Sequence, residues 1–313
     1  MISEFMGVIR LKFRGKILLI YLFCLVGTFV TGFDIQGHRG CRGLMPENSF
    51  LAFEYALELG VDTIELDTVV TADGVVVVYH DFFLSPERVR ENGQFITERV
   101  LIKDLTLSRL REYDIGSIAE PEKWPDQLQA NGQVIPTLEE VIRLVEAYNT
   151  FSEKKVRLNI EIKASPIEPE LTVDLRQHVE SVMDLVERYG IGEFVIIQSF
   201  FWKALKIVDE IDGNVLTAAL VSSTNLDKTA WTDGLKLWQF GFDIGKMLAS
   251  IGVDIVAPSY TIMADGWIQS AHDAGLDIIP WTVNDTSEMK RLIELGIDGM
   301  ITDYPDRLIK LLR

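Results

Sequence analysis

From residue 33 onward the chain alternates short aliphatic, β-branched runs with longer stretches in which apolar positions recur every three or four residues. The first pattern predicts strands over 33–38, 61–67, 75–80, 156–162, 194–199, 215–221, 253–257, 277–283 and 296–302. The second predicts helices that include 49–59, 138–148, 171–189, 202–211, 267–274, 287–295 and 304–312. Strand and helix in regular alternation imply a parallel sheet. Some eight strands, with no Gly-x-Gly-x-x-Gly turn after the first, favour a closed barrel over an open dinucleotide-binding sheet.

Punctuation supports this reading. Gly60, Gly252 and Gly296 each stand where a helical pattern stops and a strand begins, as in Gly60-Val61-Asp62, Gly252-Val253-Asp254 and Gly296-Ile297-Asp298. A left-handed helix stop accounts for all three. One stretch, 82–134, breaks the rhythm: it shows no clear strand, holds Pro86, Pro121 and Pro125, and is dense in Glu, Arg and Asp. Its length predicts a small subdomain inserted over the barrel mouth, with 117–132 an extended surface loop in the alternative reading.

Residues 1–32 differ from the rest. Arg10, Lys12, Arg14 and Lys16 precede an uncharged apolar run over 17–32, the layout of a secretory leader, with cleavage expected near Gly32. Retention as a membrane anchor through 17–32 is the other reading, because no Ala-x-Ala site follows. Either way the expectation is an exported protein, periplasmic or secreted, whose barrel occupies 33–313 and meets a membrane only through an uncleaved leader. Cleavage would also remove Cys24 and leave Cys41 alone, so export does not rest on an internal disulfide. With Phe23 ahead of it, Cys24 does not fit a lipoprotein signal, and an isolated Cys41 reads as a small buried residue.

The 313 residues are 48% hydrophobic and carry a formal charge of −17. That field repels nucleic acid and anionic lipid, and a small anionic substrate would need a local cation. Oligomeric state is not legible from composition.

Candidate chemistry gathers where strands end. Gly37-His38-Arg39-Gly40 closes the first, and Pro46-Glu47-Asn48-Ser49 opens a helix that Asn48 or Ser49 would cap. In Ile64-Glu65-Leu66-Asp67 the two acids lie on one side of their strand. Glu161 and Lys163 repeat the alternation against Ile160 and Ile162. Paired inward carboxylates are costly without a cation between them. If the strands share one barrel, Glu65, Asp67 and Glu161 converge, and an all-oxygen set selects one hard divalent cation, Ca²⁺ or Mg²⁺, over zinc. A second histidine, His80, follows the 75–80 run after a hairpin turn at Thr71-Ala72-Asp73-Gly74.

The run His38-Arg39-Gly40, Pro46-Glu47-Asn48-Ser49, Ile64-Glu65-Leu66-Asp67, Asp73-Gly74 and His80-Asp81 resembles the glycerophosphodiester phosphodiesterase family. Glu161-Ile162-Lys163, Gln198-Ser199-Phe200, Trp281-Thr282-Val283-Asn284 and 299–305 resemble it in the same order, with weaker agreement over 82–134. The resemblance implies a TIM-type (β/α)8 barrel and a divalent metal on Glu65, Asp67 and Glu161. It further implies His38 and His80 as general acid and base, Arg39 and Lys163 on the phosphate, and a small glycerophosphodiester as substrate, hydrolysed to glycerol 3-phosphate and an alcohol. Trp281 either packs against the glycerol backbone or closes the core. Glu47 either binds substrate or sits in the first turn of its helix, and Lys163 alternatively only neutralises Glu161. Gln198 and Phe200 are weaker candidates, and the Asp303-Tyr304-Pro305 turn reads as structural. His178 and His272, inside helical patterns, read as structural too. A related barrel phospholipase-type phosphodiesterase would share these residues and differ in the insertion. A binding protein that kept the barrel but lost catalysis would be expected to lack a ligand or a histidine, and every motif position is present here.

Overall fold

The computed structural model describes 8–13, 16–21 and 32–313, apart from residues 227 and 265. It divides into Met1–Gly32 and Phe33–Arg313. In the first unit, Val8–Phe13 pairs antiparallel with Lys16–Tyr21. The rest of the leader reading, over 1–7, 14–15 and 22–31, lies outside the described residues. No helix among the described residues is long and apolar enough to cross a membrane.

The second unit is a barrel of eight parallel strands. They are β1 (Asp34–Gly37), β2 (Thr63–Val70), β3 (Arg157–Ile162), β4 (Val195–Ser199), β5 (Leu216–Val221), β6 (Ile255–Pro258), β7 (Asp277–Ile278) and β8 (Gly299–Thr302), paired in the order β7-β6-β5-β4-β3-β2-β1-β8. Closure comes from backbone bonds past the end of β7: Asp298 N donates to Ile278 O at 3.1 Å and Ile301 N to Pro280 O at 3.0 Å. Pro280 offers no N–H, so the strand expected over 277–283 is formally two residues long although its pairing continues.

Around the barrel lie α1 (Phe50–Leu59), α2 (Leu138–Phe151), α3 (Leu175–Tyr189), α4 (Lys203–Ile211), α5 (Ile244–Ala249), α6 (Trp267–Asp273), α7 (Thr286–Glu294) and α8 (Pro305–Leu312). Ser49 caps α1 by accepting from Ala52 N, and Gly60 stops it at φ 88°. The helix expected from 171 begins only at 175, because the Asp174 carboxylate accepts from Arg176 N and Gln177 N there. The six-residue α5 has no counterpart in the periodicity. Its Gly245 backbone lies so close to Ser270 that an added Cβ would sit 1.9 Å from the Ser270 carbonyl oxygen, so packing makes this helix where propensity does not.

Two expectations are corrected. The 75–80 run is not a barrel strand: Val76–Val78 folds back antiparallel on β2, with Thr68 opposite Val78. The 82–134 segment does contain strands. Phe83–Leu84 pairs with Val100–Leu101, and Arg90–Glu91 pairs with both Gln94–Phe95 and Tyr113–Asp114. Two-residue strands are too short to display a period of two. Leu84, Val89, Ile102, Leu110 and Ile115 give this insertion a core of its own, shared with Val77 and Tyr79.

The three Gly-x-Asp turns share a device beyond their helix stops. Asp62, Asp254 and Asp298 each donate a backbone N–H to a neighbouring-strand carbonyl (Ile35, Thr217 and Ile278) and accept that same residue's N–H on Oδ2, at 2.8–3.0 Å. Each aspartate thereby starts one strand pairing at the floor of the barrel.

Inside, the barrel is apolar on one side and polar on the other. Ile196, Ala218, Leu220, Ile255, Ala257, Ile279 and Ile301, from β4 to β8, fill the first half. Asp34, Gln36, Thr63, Glu65, Asp67, Asn159, Glu161 and Gln198 are buried in the second. The outward residues Ile64, Leu66, Ile160 and Ile162 pack beneath the helices.

Candidate active site

His38 directly follows β1, and its N–H still pairs with Thr302 O at 2.9 Å. The chain then turns sharply. Arg39 has φ 50° and Asn48 φ 53°, both left-handed. Asn tolerates that region, whereas for Arg it is strained. Two bonds hold it: Arg39 N donates to Glu65 Oε2 at 2.8 Å, and Arg39 O accepts from Asn48 N at 3.1 Å. The turn thus locks the histidine-bearing loop onto an acid of β2.

Glu65 and Asp67 on β2 and Glu161 on β3 point into the polar half, their ligand atoms within 4.8 Å of one another. All three are buried. Register brings them together, since Glu161 stands directly opposite Asp67. Lys163 Nζ is 2.9 Å from Glu161 Oε1 and 3.6 Å from Asp67 Oδ1, and Arg39 Nε is 3.2 Å from Asp67 Oδ2. Burial works against ionisation of every one of these acids. Asp67 nevertheless stays well below the ordinary carboxylate range because Arg39, His80 and Lys163 outweigh it. Burial and the neighbouring Asp67 push Glu65 well up. Glu161 is raised to about 7 by burial in spite of Lys163. Three carboxylates so disposed, with two driven toward their neutral forms, are the donor set and the charge deficit that a hard divalent cation fits.

Glu65 is also tied from below. Gln198 Nε2 donates to Glu65 Oε1 at 2.8 Å, and Asn159 Nδ2 reaches Gln198 Oε1 at 3.2 Å and Gln36 Oε1 at 2.7 Å. Gln36 Nε2 donates in turn to Asp34 Oδ2 at 2.8 Å. An amide ladder therefore runs through the barrel interior and fixes one candidate ligand.

Both candidate histidines carry the same attachment. His38 Nδ1 lies 2.6 Å from Asp303 Oδ1, and His80 Nδ1 lies 2.6 Å from Asp81 Oδ1. A carboxylate at that distance holds the proton on Nδ1 and leaves Nε2 for chemistry. Asp303 also accepts from Arg42 Nε at 2.9 Å and from Asn284 Nδ2 at 2.6 Å; Asp81 pairs with Arg88. Burial lowers both imidazoles, His80 to about 4 with Arg39 and Lys163 adding to the effect, so each rests neutral at pH 7. His38, Arg39, Glu65, His80, Glu161, Gln198 and Trp281 line one cavity of about 270 Å³. A second, about 660 Å³, shares His80, Glu161 and Phe200 with it.

A profile of the Glycerophosphoryl diester phosphodiesterase family matches residues 38–307. The chain belongs to this family. It is 30% identical over 279 residues to a glycerophosphodiester phosphodiesterase of Caldanaerobacter subterraneus subsp. tengcongensis, covering 89% of this chain and 97% of that one. A Silicibacter pomeroyi protein of solved structure aligns with TM-score 0.80 at 28% identity over 90% of this chain and 93% of its own. An Oleispira antarctica phosphodiesterase, solved with its product sn-glycerol-3-phosphate, shares the fold with TM-score 0.68 at 20% identity, over 89% and 96%.

Glycerophosphoryl diester phosphodiesterases are the family that the sequence motifs resemble; of the nine candidate residues, seven line the two cavities, while Asp67 and Glu47 stand behind them on Arg39. Glu47 is not in a first helical turn: α1 starts three residues later, and Glu47 instead accepts from Arg39 Nη1 at 2.9 Å with Arg42 and Arg88 nearby. Burial opposes its charge, but the three guanidiniums hold it down to about 2. Trp281 is half-buried, edge-on to Phe200 at 5.4 Å, with its Nε1 on Ala257 O, so it closes the apolar half while lining the His38 cavity. His178, 3.1 Å from Thr68 Oγ1, and His272, 2.9 Å from Asp298, stand outside the site. Asp303 was read as a structural turn and Asp81 was given no role. For Asp81 the adjacent histidine is the available signal; for Asp303 it is the 299–305 motif that contains it, just past a strand.

Proposed function

We propose that this protein hydrolyses glycerophosphodiesters to glycerol 3-phosphate and an alcohol. The single observation that carries the reading is the pair of carboxylate-anchored histidines, His38–Asp303 and His80–Asp81, flanking the buried Glu65, Asp67 and Glu161 cluster in a member of this family.

Glu65, Asp67 and Glu161 would hold one divalent cation, Ca²⁺ or Mg²⁺, which supplies charge neutralisation and polarisation at a phosphoryl oxygen. Lys163 and Arg39 offer further positive charge to the diester oxygens, as far as their own carboxylates leave them free. One imidazole Nε2 takes the proton of the attacking hydroxyl or water, and the other returns a proton to the departing alkoxide. Neutral histidines suit the first role. The negative charge of a bound phosphodiester favours the imidazolium needed for the second. The Asp303 and Asp81 carboxylates keep both rings oriented throughout.

The decisive assay follows glycerol 3-phosphate release from glycerophosphoethanolamine before and after EDTA treatment, with Ca²⁺ or Mg²⁺ then restored, for wild type and His38→Ala. Activity is expected to vanish with chelation, to return with the ion, and to fall in His38→Ala by a factor on the order of 10² to 10⁴. Turnover insensitive to EDTA would overturn the reading. We also propose that residues 1–32 direct export, on the strength of their charge and hydropathy layout. Mature protein recovered outside the cytoplasm should begin near residue 33.

A further inference from the structure

The second half of the insertion is tied to the loop that follows His38. Leu128 N donates to Leu44 O at 2.8 Å, Gln127 Nε2 to Arg42 O at 2.7 Å, and Arg307 Nη2 to Asp126 Oδ2 at 2.9 Å. Gln127 is buried, whereas Pro125, Asp126 and Leu128 around it are exposed. Trp124, half-buried, belongs to none of the three hydrophobic cores of the described residues. Its ring instead covers Arg42, whose Cζ lies 4.5 Å from the ring centre. An indole face attracts a guanidinium and shields it from water without taking any of its N–H donors.

Arg42 uses those donors on Asp303. Its Nε reaches Oδ1 at 2.9 Å and its Nη2 reaches Oδ2 at 3.0 Å, a fork that fixes the plane of a fully buried carboxylate. The same Oδ1 lies 2.6 Å from His38 Nδ1, so the plane that Arg42 imposes decides where the imidazole is anchored. Asn284 Nδ2 binds Oδ2 alone, at 2.6 Å, and a donor on one oxygen does not set a plane. Arg42 also has a rival acid within reach, since Glu47 Oε2 stands 3.8 Å from its Nη1. The indole face keeps the guanidinium in the plane that serves Asp303.

We propose that Trp124, supplied by the insertion, is a positioning residue for His38: its ring holds the Arg42 guanidinium on Asp303, and Asp303 holds the imidazole. The inference rests on the hydrolytic reading above and adds to it a residue of the insertion. Trp124 lines neither cavity, so it acts without meeting the substrate. A segment that reads in the sequence as a surface loop thereby reaches the reacting atoms through Arg42 and Asp303.

The test compares Trp124→Phe, which keeps an aromatic face, with Trp124→Leu, which keeps only apolar bulk, on glycerophosphoethanolamine. Trp124→Leu should lower kcat about tenfold with KM within about twofold, and Trp124→Phe should stay within about threefold of wild type. In an Arg42→Gln background, itself impaired, Trp124→Leu should cost less than about a further twofold, because the link it acts through is gone. The proton NMR spectrum of the metal-loaded protein gives a readout that needs no turnover. Its low-field His38 Nδ1–H signal, assigned as the one that Asp303→Asn removes, should exchange with water at least about tenfold faster in Trp124→Leu than in wild type. Equal kcat for wild type and Trp124→Leu overturns the proposal, as does a loss carried by KM, a loss shared equally by Trp124→Phe, or a full tenfold cost in the Arg42→Gln background. An unchanged His38 signal overturns it as well. If the metal-loaded wild type turns over no diester while that signal still responds to Trp124→Leu, the hydrolytic reading fails and the anchoring of His38 stands.

Discussion

His38 and His80 reach their carboxylates by different routes, one from the next residue and the other from 265 residues away. Asp303 is buried and bonded to Arg42 and Asn284 as well, so it is the more rigid anchor. Asp303→Asn should lower kcat by about 10 to 100 with little change in KM, and Asp81→Asn by less; steady-state kinetics on one diester separates them. Gln198→Leu removes the amide that orients Glu65 and should weaken divalent-cation affinity by about 10 to 100, read by calorimetric titration with Ca²⁺ or Mg²⁺ without substrate. His178, buried beside Thr68, titrates at about 4 because burial disfavours its cation. A histidine depressed in the fold contributes its stability above about pH 6.5 and loses it as pH falls toward 4. Between pH 7 and pH 5 this amounts to about 2 kcal/mol, so His178→Gln should show a shallower loss of melting temperature over that interval. Glu65, Asp67 and Glu161 were legible because strand alternation puts them on one face. Asp303 was not, because barrel closure and not local pattern brings it to His38.

At the scale of elements, turns carry more than connectivity. An added Cβ at Gly37 would lie 2.0 Å from Gly40 O, so Gly37→Ala must displace the loop that bears His38 and Arg39. Since a misplacement of about 1 Å costs roughly 10² in rate, this variant should lose activity to that extent while keeping a cooperative melt. Asp254 sits far from the mouth but staples β6 to Thr217 of β5. Asp254→Ala should destabilise by about 1 to 3 kcal/mol in urea titration and leave KM unchanged. The glycine stops and eight strand positions were readable from period and punctuation. The hairpin turn at 71–74 that folds Val76–Val78 back on β2 was readable as well; the existence of α5 was not, because it depends on the approach of Gly245 to Ser270.

Across the whole molecule, the division of the barrel into a polar and an apolar half places every charged candidate on β1, β2, β3 and the loops beside them, facing the Ile-rich wall of β4 to β8. The insertion at 82–134 contributes Phe82, Phe83, Arg99 and Leu101 to the larger cavity, so its sequence bears on what enters. Pro280 has a consequence of another kind. Where the other strands meet along continuous ladders, β7 and β8 are joined by a few amides on either side of a residue that can donate none. This is the thinnest stave of the cask, and it runs directly beneath Trp281. Deuterium should enter at Val283 and Ile301 sooner than at the β2–β3 junction, so a first breath of opening would pass under the tryptophan and leave the acids undisturbed.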